Sequence, residues 1–180
     1  RTNKRLDRST PSFVSPDGAV YGSEEVGDLL FGCFDDNAIT LTGPHGAPPD
    51  DFSFSLLDDN WNQFAPYAEQ AAWLFPSLQT AEIRRFVNGP ETFTPDGEPL
   101  LGAYGNIEGL HVASAMNSGG VTYSALAGHV ITDAILESPT PKFDPAPYAP
   151  DRFATRACDE VWLREAVSQA PSSHYRSLYD

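Results

Sequence analysis

A chain of 180 residues has room for one domain, with or without a tail, and can bury a core without disulfides or metals. Its 11 Lys and Arg against 25 Asp and Glu leave a net charge of −14, which repels phosphate backbones and anionic lipid and argues against nucleic-acid or membrane partners. No apolar run approaches the roughly 18 residues of a membrane span, and no charged-then-apolar leader opens the chain, so a soluble protein is expected, with the choice between cytoplasm and mitochondrial matrix left open.

The chain begins at Arg1 rather than Met, which suggests a processed protein or a piece of a longer one. Residues 1–10 are basic, lack apolar periodicity and read as a loop or frayed end. From Ala19 to Phe34 the pattern turns β-like, two short strands around a turn carrying Gly27 and Asp28. Asp35 to Asp51, rich in Asp, Gly and Pro, reads as a surface loop. A helix follows from about Asp59. Trp61, Phe64, Ala65, Ala68, Ala72 and Phe75 recur at helical period, Asp58 and Asp59 stand at the N-cap, and Pro76 ends it. That aromatic stripe reads as core packing.

Alternation at Ile83–Val87 predicts a strand, and Pro95-Asp96-Gly97 a turn between two short extended pieces. Gly109–Ala115 is a short apolar strand broken by Met-Asn-Ser-Gly-Gly, and Val121–Leu136 reads as a helix with small residues for close packing. Five prolines within residues 138–151 predict an extended polyproline-like linker before a last helix at Thr155–Ala170, with Val161, Trp162, Ala166 and Val167 apolar. Cys33 and Cys158 lie far apart with no metal-ligand spacing, so no metal site is expected, and a disulfide between them is left open. His45, His111, His129 and His174 are scattered; His111 and His129 could approach in space, yet no third partner or Gly-x-Ser-x-Gly elbow supports a catalytic set.

The segment Gly109–Val130 carries the most chemistry. A strand that ends in Asn-Ser-Gly-Gly and turns directly into a helix leaves backbone N–H groups unpaired at the positive end of the helix dipole. Such a corner seats an electron-rich oxygen or a negative charge, and its glycines admit a flat ligand close to the backbone. Taken alone the junction is common, and most of its kind bind nothing.

In order along the chain stand Phe93-Thr-Pro-Asp-Gly97, Pro99-x-x-Gly102, Gly109-Leu-x-Val-Ala113 and Asn117-Ser-x-Gly120. This series resembles the C-terminal part of FAD-dependent amine oxidoreductases of the D-amino-acid-oxidase superfamily, nearest the dimethylglycine and sarcosine dehydrogenase group. The resemblance runs from about Pro11 to Tyr175. It implies an α+β fold: an antiparallel substrate-side sheet with a covering helix over residues 1–108. The last strand and helix of an FAD-binding, Rossmann-like domain would follow at 109–137, and a Pro-rich tail with a short helix at 138–180 would lead toward a further region. It further implies that the backbone of Asn117, Ser118, Gly119, Gly120 and Val121 faces the pyrimidine side of the flavin, with Pro95, Asp96 and Gly97 near the same ring. Tyr21 matches an active-site tyrosine that orients the amine, although a purely structural strand aromatic is an equal reading. The implied activity is oxidation of a secondary or tertiary N-methyl amine, such as dimethylglycine or sarcosine, by hydride transfer to flavin, the resulting imine being hydrolysed or handed to folate in the parent protein.

The departures are specific. Ser23 stands where relatives carry an Arg, and Asn88–Glu91 supplies no Arg to clamp a substrate carboxylate, although Arg84 and Arg85 are near in sequence. No GxGxxG unit exists in the chain to hold the FAD pyrophosphate. The resemblance therefore implies an incomplete module, inactive alone, which needs a dinucleotide-binding region in the parent chain or on a subunit. A non-catalytic regulatory or interaction relative that keeps the fold is the alternative, and a stand-alone binding module a third reading.

Overall fold

The computed structural model describes residues 5–36, 38–41, 52, 53, 57–105, 107–157 and 159–177, without the side chains of 171–177. The chain forms two compact units, Arg1–Asp36 with Ser53–Pro90 and Tyr175–Asp180, and Asn37–Phe52 with Glu91–His174. The α+β class is as the sequence indicates. The expected boundary at residue 108 falls inside the second unit, between its two strands.

The first unit is a three-stranded antiparallel sheet, β1 (Phe13–Ser15), β2 (Val20–Glu25) and β3 (Asp28–Cys33), with helix α1 (Trp61–Leu74). The β2–β3 hairpin turns at Val26-Gly27, one residue earlier than expected, because Asp28 already pairs with Glu25. Both turn residues have positive φ, 51° and 86°, as a two-residue turn matching strand twist requires. The Arg5–Thr10 stretch is docked rather than frayed: the Leu6 amide donates to the Gly27 carbonyl at 2.9 Å.

Aromatic rings cover the strand glycines. Phe13, opposite Gly22, lies where a Cβ on Gly22 would stand 2.6 Å from its ring, and Tyr21 covers its partner Gly32 in the same way. The row Phe13–Gly22–Phe31 faces α1, since Phe13 meets Phe75 at 4.5 Å and Phe31 meets Phe64 at 5.2 Å between ring centroids. By the period of two, Tyr21 points to the opposite face, where its ring stacks on Phe34 at 4.8 Å.

Helix α1 differs in detail from its expectation. Asn60, not Asp58 or Asp59, is the N-cap, its side chain accepting from the Gln63 amide. The inward face runs through Phe64, Tyr67, Ala68 and Ala71, while Ala65 is exposed. Tyr67 ties the helix to the end of β3, donating to Asp35 and accepting from the Asp36 amide. Pro76 ends the helix as expected and opens a 3-10 turn, Pro76–Thr80.

The expected strand at Ile83–Val87 is not formed. The alternation is real: Phe86 packs on Trp61 and Phe64, Arg84 pairs with Asp28 at 2.6 Å, and Ile83 and Val87 face outward. No strand among the described residues offers it a ladder, so side chains hold the segment instead.

The second unit pairs β4 (Leu100–Ala103) antiparallel with β5 (His111–Ser114), and α2 (Gly120–Ile135) packs on both. Leu101, fully buried, Ala115 and Val130 form its core. The only pairing of β5 among the described residues is antiparallel, and no parallel ladder is present there.

The Pro-rich stretch is not an extended linker. It folds through a 3-10 turn, Ala146–Tyr148, and a run of turns to Ala157, because the Arg152 side chain draws it onto the Thr94–Pro99 turn. These turns delay the last helix, α3, to Glu160–Ser177, started by Asp159, whose carboxylate accepts from the Trp162 amide. Trp162, Ala166, Val167 and Ala170 are half-buried or buried, whereas Val161 is exposed. Residues 37 and 42–51 of the expected loop at 35–51, and Cys158, lie outside the described residues. No helix among those described is long and apolar enough to cross a membrane.

Candidate functional site

The β5–α2 junction is built on an unusual backbone. Ala115, Asn117 and Ser118 all have positive φ, at 50°, 50° and 64°, a region non-glycine residues enter at a cost on the order of 1 kcal/mol each. Asn117 shows what holds it there. Its side chain is fully buried, its Nδ2 donates to the Ala115 carbonyl at 2.8 Å, and its Oδ1 accepts from the Thr94 amide at 2.8 Å and the Thr94 hydroxyl at 3.2 Å. The loop is thus pinned to the turn that follows Phe93.

This path delivers an open helix start. Gly119 is the N-cap, its amide donates back to the Met116 carbonyl, and the first intrahelical bond runs from the Tyr123 amide to the Gly119 carbonyl. Among the described residues nothing accepts from the amides of Gly120, Val121 and Thr122, and no side chain caps the helix. Val121 is 92% exposed. Three outward amides at the positive end of a 16-residue helix are a seat for electron density. Gly119 and Gly120 differ in kind. A Cβ on Gly119 would stand 2.7 Å from the Tyr123 ring, whereas one on Gly120 meets nothing closer than 3.8 Å.

The Pro95-Asp96-Gly97 turn forms as expected, with Gly97 at φ 77°. Its carboxylate is not free for a ligand. Asp96 accepts from Arg152 Nε and Nη2, both at 2.8 Å, and from the Glu98 amide. Burial pushes the Asp96 carboxyl up, but the hydrogen bonds from Arg152, the Glu98 amide and Thr94 outweigh it and hold it below its ordinary value. Any contribution of this turn to a ligand therefore comes from its backbone.

The sequence-predicted residues of the second unit, Pro95–Gly97 and Asn117–Val121, are joined by the Thr94–Asn117 hydrogen bonds. Tyr21 stands in the first unit, half-buried over Gly32. Three residues were missed. Thr94 is 4% exposed and links turn to loop; Arg152 anchors the turn; Glu91 accepts from the Ser118 hydroxyl at 3.0 Å. Thr94 had a sequence signal, its place in the Phe93–Gly97 motif, and Arg152 lies within the stretch that carries the resemblance, but nothing local gave the contacts of either.

Other candidates are committed elsewhere. Arg84 is engaged by Asp28, His111 lies by the Gly109 carbonyl, and His129 lies 3.3 Å from Lys142 Nζ. Burial, with the Asp35 charge, pushes the Cys33 thiol up to about 12, so it stays protonated and unreactive. Among the described residues no three His, Cys, Asp or Glu side chains converge as metal ligands would.

The chain is similar to known proteins along most of its length. It is 28% identical over 172 residues to 4-methylaminobutanoate oxidase (formaldehyde-forming) of Paenarthrobacter nicotinovorans, covering 93% of this chain and 20% of that protein. It is 32% identical over 130 residues to the mitochondrial pyruvate dehydrogenase phosphatase regulatory subunit of Mus musculus, covering 71% of this chain and 14% of that protein. The mitochondrial sarcosine dehydrogenase of Mus musculus is 27% identical over 173 residues, 96% of this chain and 18% of that protein. The chain thus spans about a fifth or less of the length of these relatives. The family model "FAD dependent oxidoreductase" (DAO) matches residues 2–134. That match takes in the hairpin, the Thr-Pro-Asp-Gly turn, the strained loop and nearly all of α2, and the chain belongs to the FAD dependent oxidoreductase family.

Proposed function

We propose that this chain is the C-terminal part of the flavin module of an amine oxidoreductase, acting on a secondary or tertiary N-methyl amine such as dimethylglycine or sarcosine. The observation that carries the reading is the open start of α2, where the amides of Gly120, Val121 and Thr122 point outward from a backbone held by Asn117. FAD, when bound, supplies the two-electron acceptor for a hydride leaving the N-methyl carbon.

The residues present fit one edge of that group. The three amides and the helix dipole stabilise electron density on the pyrimidine side of the ring without reorganising, which makes them worth more than solvent water in a dry site. The exposed Gly120 admits a flat ring close to the backbone. The pyrophosphate has no GxGxxG unit in this chain, so its seat belongs to a dinucleotide-binding region in the parent chain or on a subunit. Tyr21, directed to the sheet face opposite α1, orients the amine through its hydroxyl. The similarity to 4-methylaminobutanoate oxidase and sarcosine dehydrogenase supports an N-methylated substrate.

A second reading has its own observations. Ser23 stands where relatives carry an Arg, no clamp Arg stands at Asn88–Glu91, Arg84 is engaged by Asp28, and one relative is a regulatory subunit. A regulatory relative that keeps the flavin seat fits these facts. The two readings separate on reduction of bound flavin by N-methyl amines.

The chain mixed with FAD and desalted stays colourless, and joined to a GxGxxG-bearing region it retains yellow flavin. Tight stoichiometric FAD binding by the chain alone contradicts the division of the site.

A further inference from the structure

The Arg152 guanidinium has five N–H donors, and five acceptors surround it. Nε and Nη2 hold the two Asp96 oxygens at 2.8 Å each. Nη2 also donates to the Glu98 carbonyl at 2.6 Å, and Nη1 to the carbonyls of Pro99 and Ala149, both at 3.2 Å. The group is largely buried, with its side chain 13% exposed, and its flat face lies 4.5 Å from the Phe153 ring centre.

The Glu98 carbonyl is shared. It accepts from Arg152 on one side and from the Thr94 hydroxyl, at 2.8 Å, on the other. Thr94 in turn donates its amide to Asn117, which holds the left-handed loop ahead of α2. An unbroken chain of hydrogen bonds therefore runs from the Pro-rich tail to the amide cluster at Gly120–Thr122.

We propose that Arg152 is a positioning residue for the candidate ligand seat: its fork sets the Thr94–Pro99 turn, and the turn sets the backbone at 115–119 through Thr94 and Asn117. This rests on the reading of the α2 start as that seat. Arg152 touches no ligand; it acts through Glu98, Thr94 and Asn117. A lysine cannot replace it, because one ammonium cannot span both carboxylate oxygens and three carbonyls. The tail that begins near residue 138 is thereby an integral part of the site rather than a connector leading away from it.

Amide hydrogen exchange on the full chain, with no flavin present, tests this separately from the flavin reading. In Arg152→Gln the protected amides of Thr94 and Gly119 exchange roughly tenfold faster or more. Those of Val130 and Ile131 within α2 and of the β2–β3 ladder keep their rates. Arg152→Lys, which keeps the charge and most of the stem, behaves like the Gln variant. Unchanged Thr94 and Gly119 exchange in either folded variant overturns the proposal, as does wild-type exchange in Arg152→Lys. An acceleration spread equally through α2, or loss of the fold in both variants, makes Arg152 a general fold determinant and overturns it as well.

Discussion

At Asn117 the backbone is left-handed, while every side-chain contact is made inside the protein, to Ala115 below and Thr94 across 23 residues of sequence. Asparagine is among the few residues that tolerate this conformation, because its short amide can bond locally. Truncation removes that tolerance and strands the buried Thr94 amide, while the Thr94 hydroxyl keeps the Glu98 carbonyl. Asn117→Ala therefore lowers stability by about 3 kcal/mol, read from urea unfolding of the full chain, whereas substitution of the exposed Ser124 changes it by less than about 0.5 kcal/mol. An Asn117→Ala value under 1 kcal/mol would show that the loop does not depend on this latch. The Asn-Ser-Gly-Gly loop was legible in the sequence as a helix start, but its latch was not, since a hydrogen bond across 23 residues leaves no local pattern. Tyr21 is a different case. Its alternation placed it on a strand, and the structure adds that its ring covers Gly32 and stacks on Phe34, which packing alone explains. Tyr21→Phe keeps that packing and removes only the hydroxyl. In the protein joined to a dinucleotide-binding region, stopped-flow reduction of flavin by an N-methyl amine slows tenfold or more; an unchanged rate leaves Tyr21 as a packing residue.

Among the elements, those specified by local periodicity were read well. The β2–β3 hairpin, α1 and α2 lie within a residue or two of their expected places, because strand alternation, an apolar stripe and proline stops all act over short distances. Where tertiary contacts decide, the sequence misled. Ile83–Val87 alternates like a strand but finds no ladder, and the Pro-rich tail reads as extended but is folded back by Arg152. The tail latch also titrates. Burial raises the Asp96 carboxyl, but Arg152, the Glu98 amide and Thr94 lower it further, so its folded value lies below its unfolded one. The linkage sign follows: the latch contributes its full stability above the ordinary carboxylate value and loses it as pH falls through the lower folded value. Asp96→Asn removes that component. Urea midpoints of the wild type and of Asp96→Asn therefore converge as the solution is acidified through this range; a constant gap between them would contradict the assignment.

For the molecule as a whole, composition shaped expectations about partners without identifying one. The net charge of −14 carries only the expectation that anionic surfaces are poor partners, and the chemistry came from one loop and the ordered motifs around it. The chain belongs to the FAD dependent oxidoreductase family and spans about a fifth or less of the relatives described; turnover by a larger assembly is part of the proposal. The central claim is narrower: the amides at the start of α2 seat the electron-rich edge of flavin. Gly119 is a poor place to test it, because any side chain there collides with Tyr123. Gly120 is a clean one. Its Cβ has room, and an aspartate in the first turn of α2 favours the helix dipole, so Gly120→Asp folds while carrying a negative charge into the proposed seat. The decisive measurement is flavin absorbance retained after desalting, with the chain joined to a dinucleotide-binding region and compared as wild type, Gly120→Ala and Gly120→Asp. The account predicts yellow protein for the first two and colourless, fully folded protein for Gly120→Asp. Undiminished flavin in Gly120→Asp would contradict it.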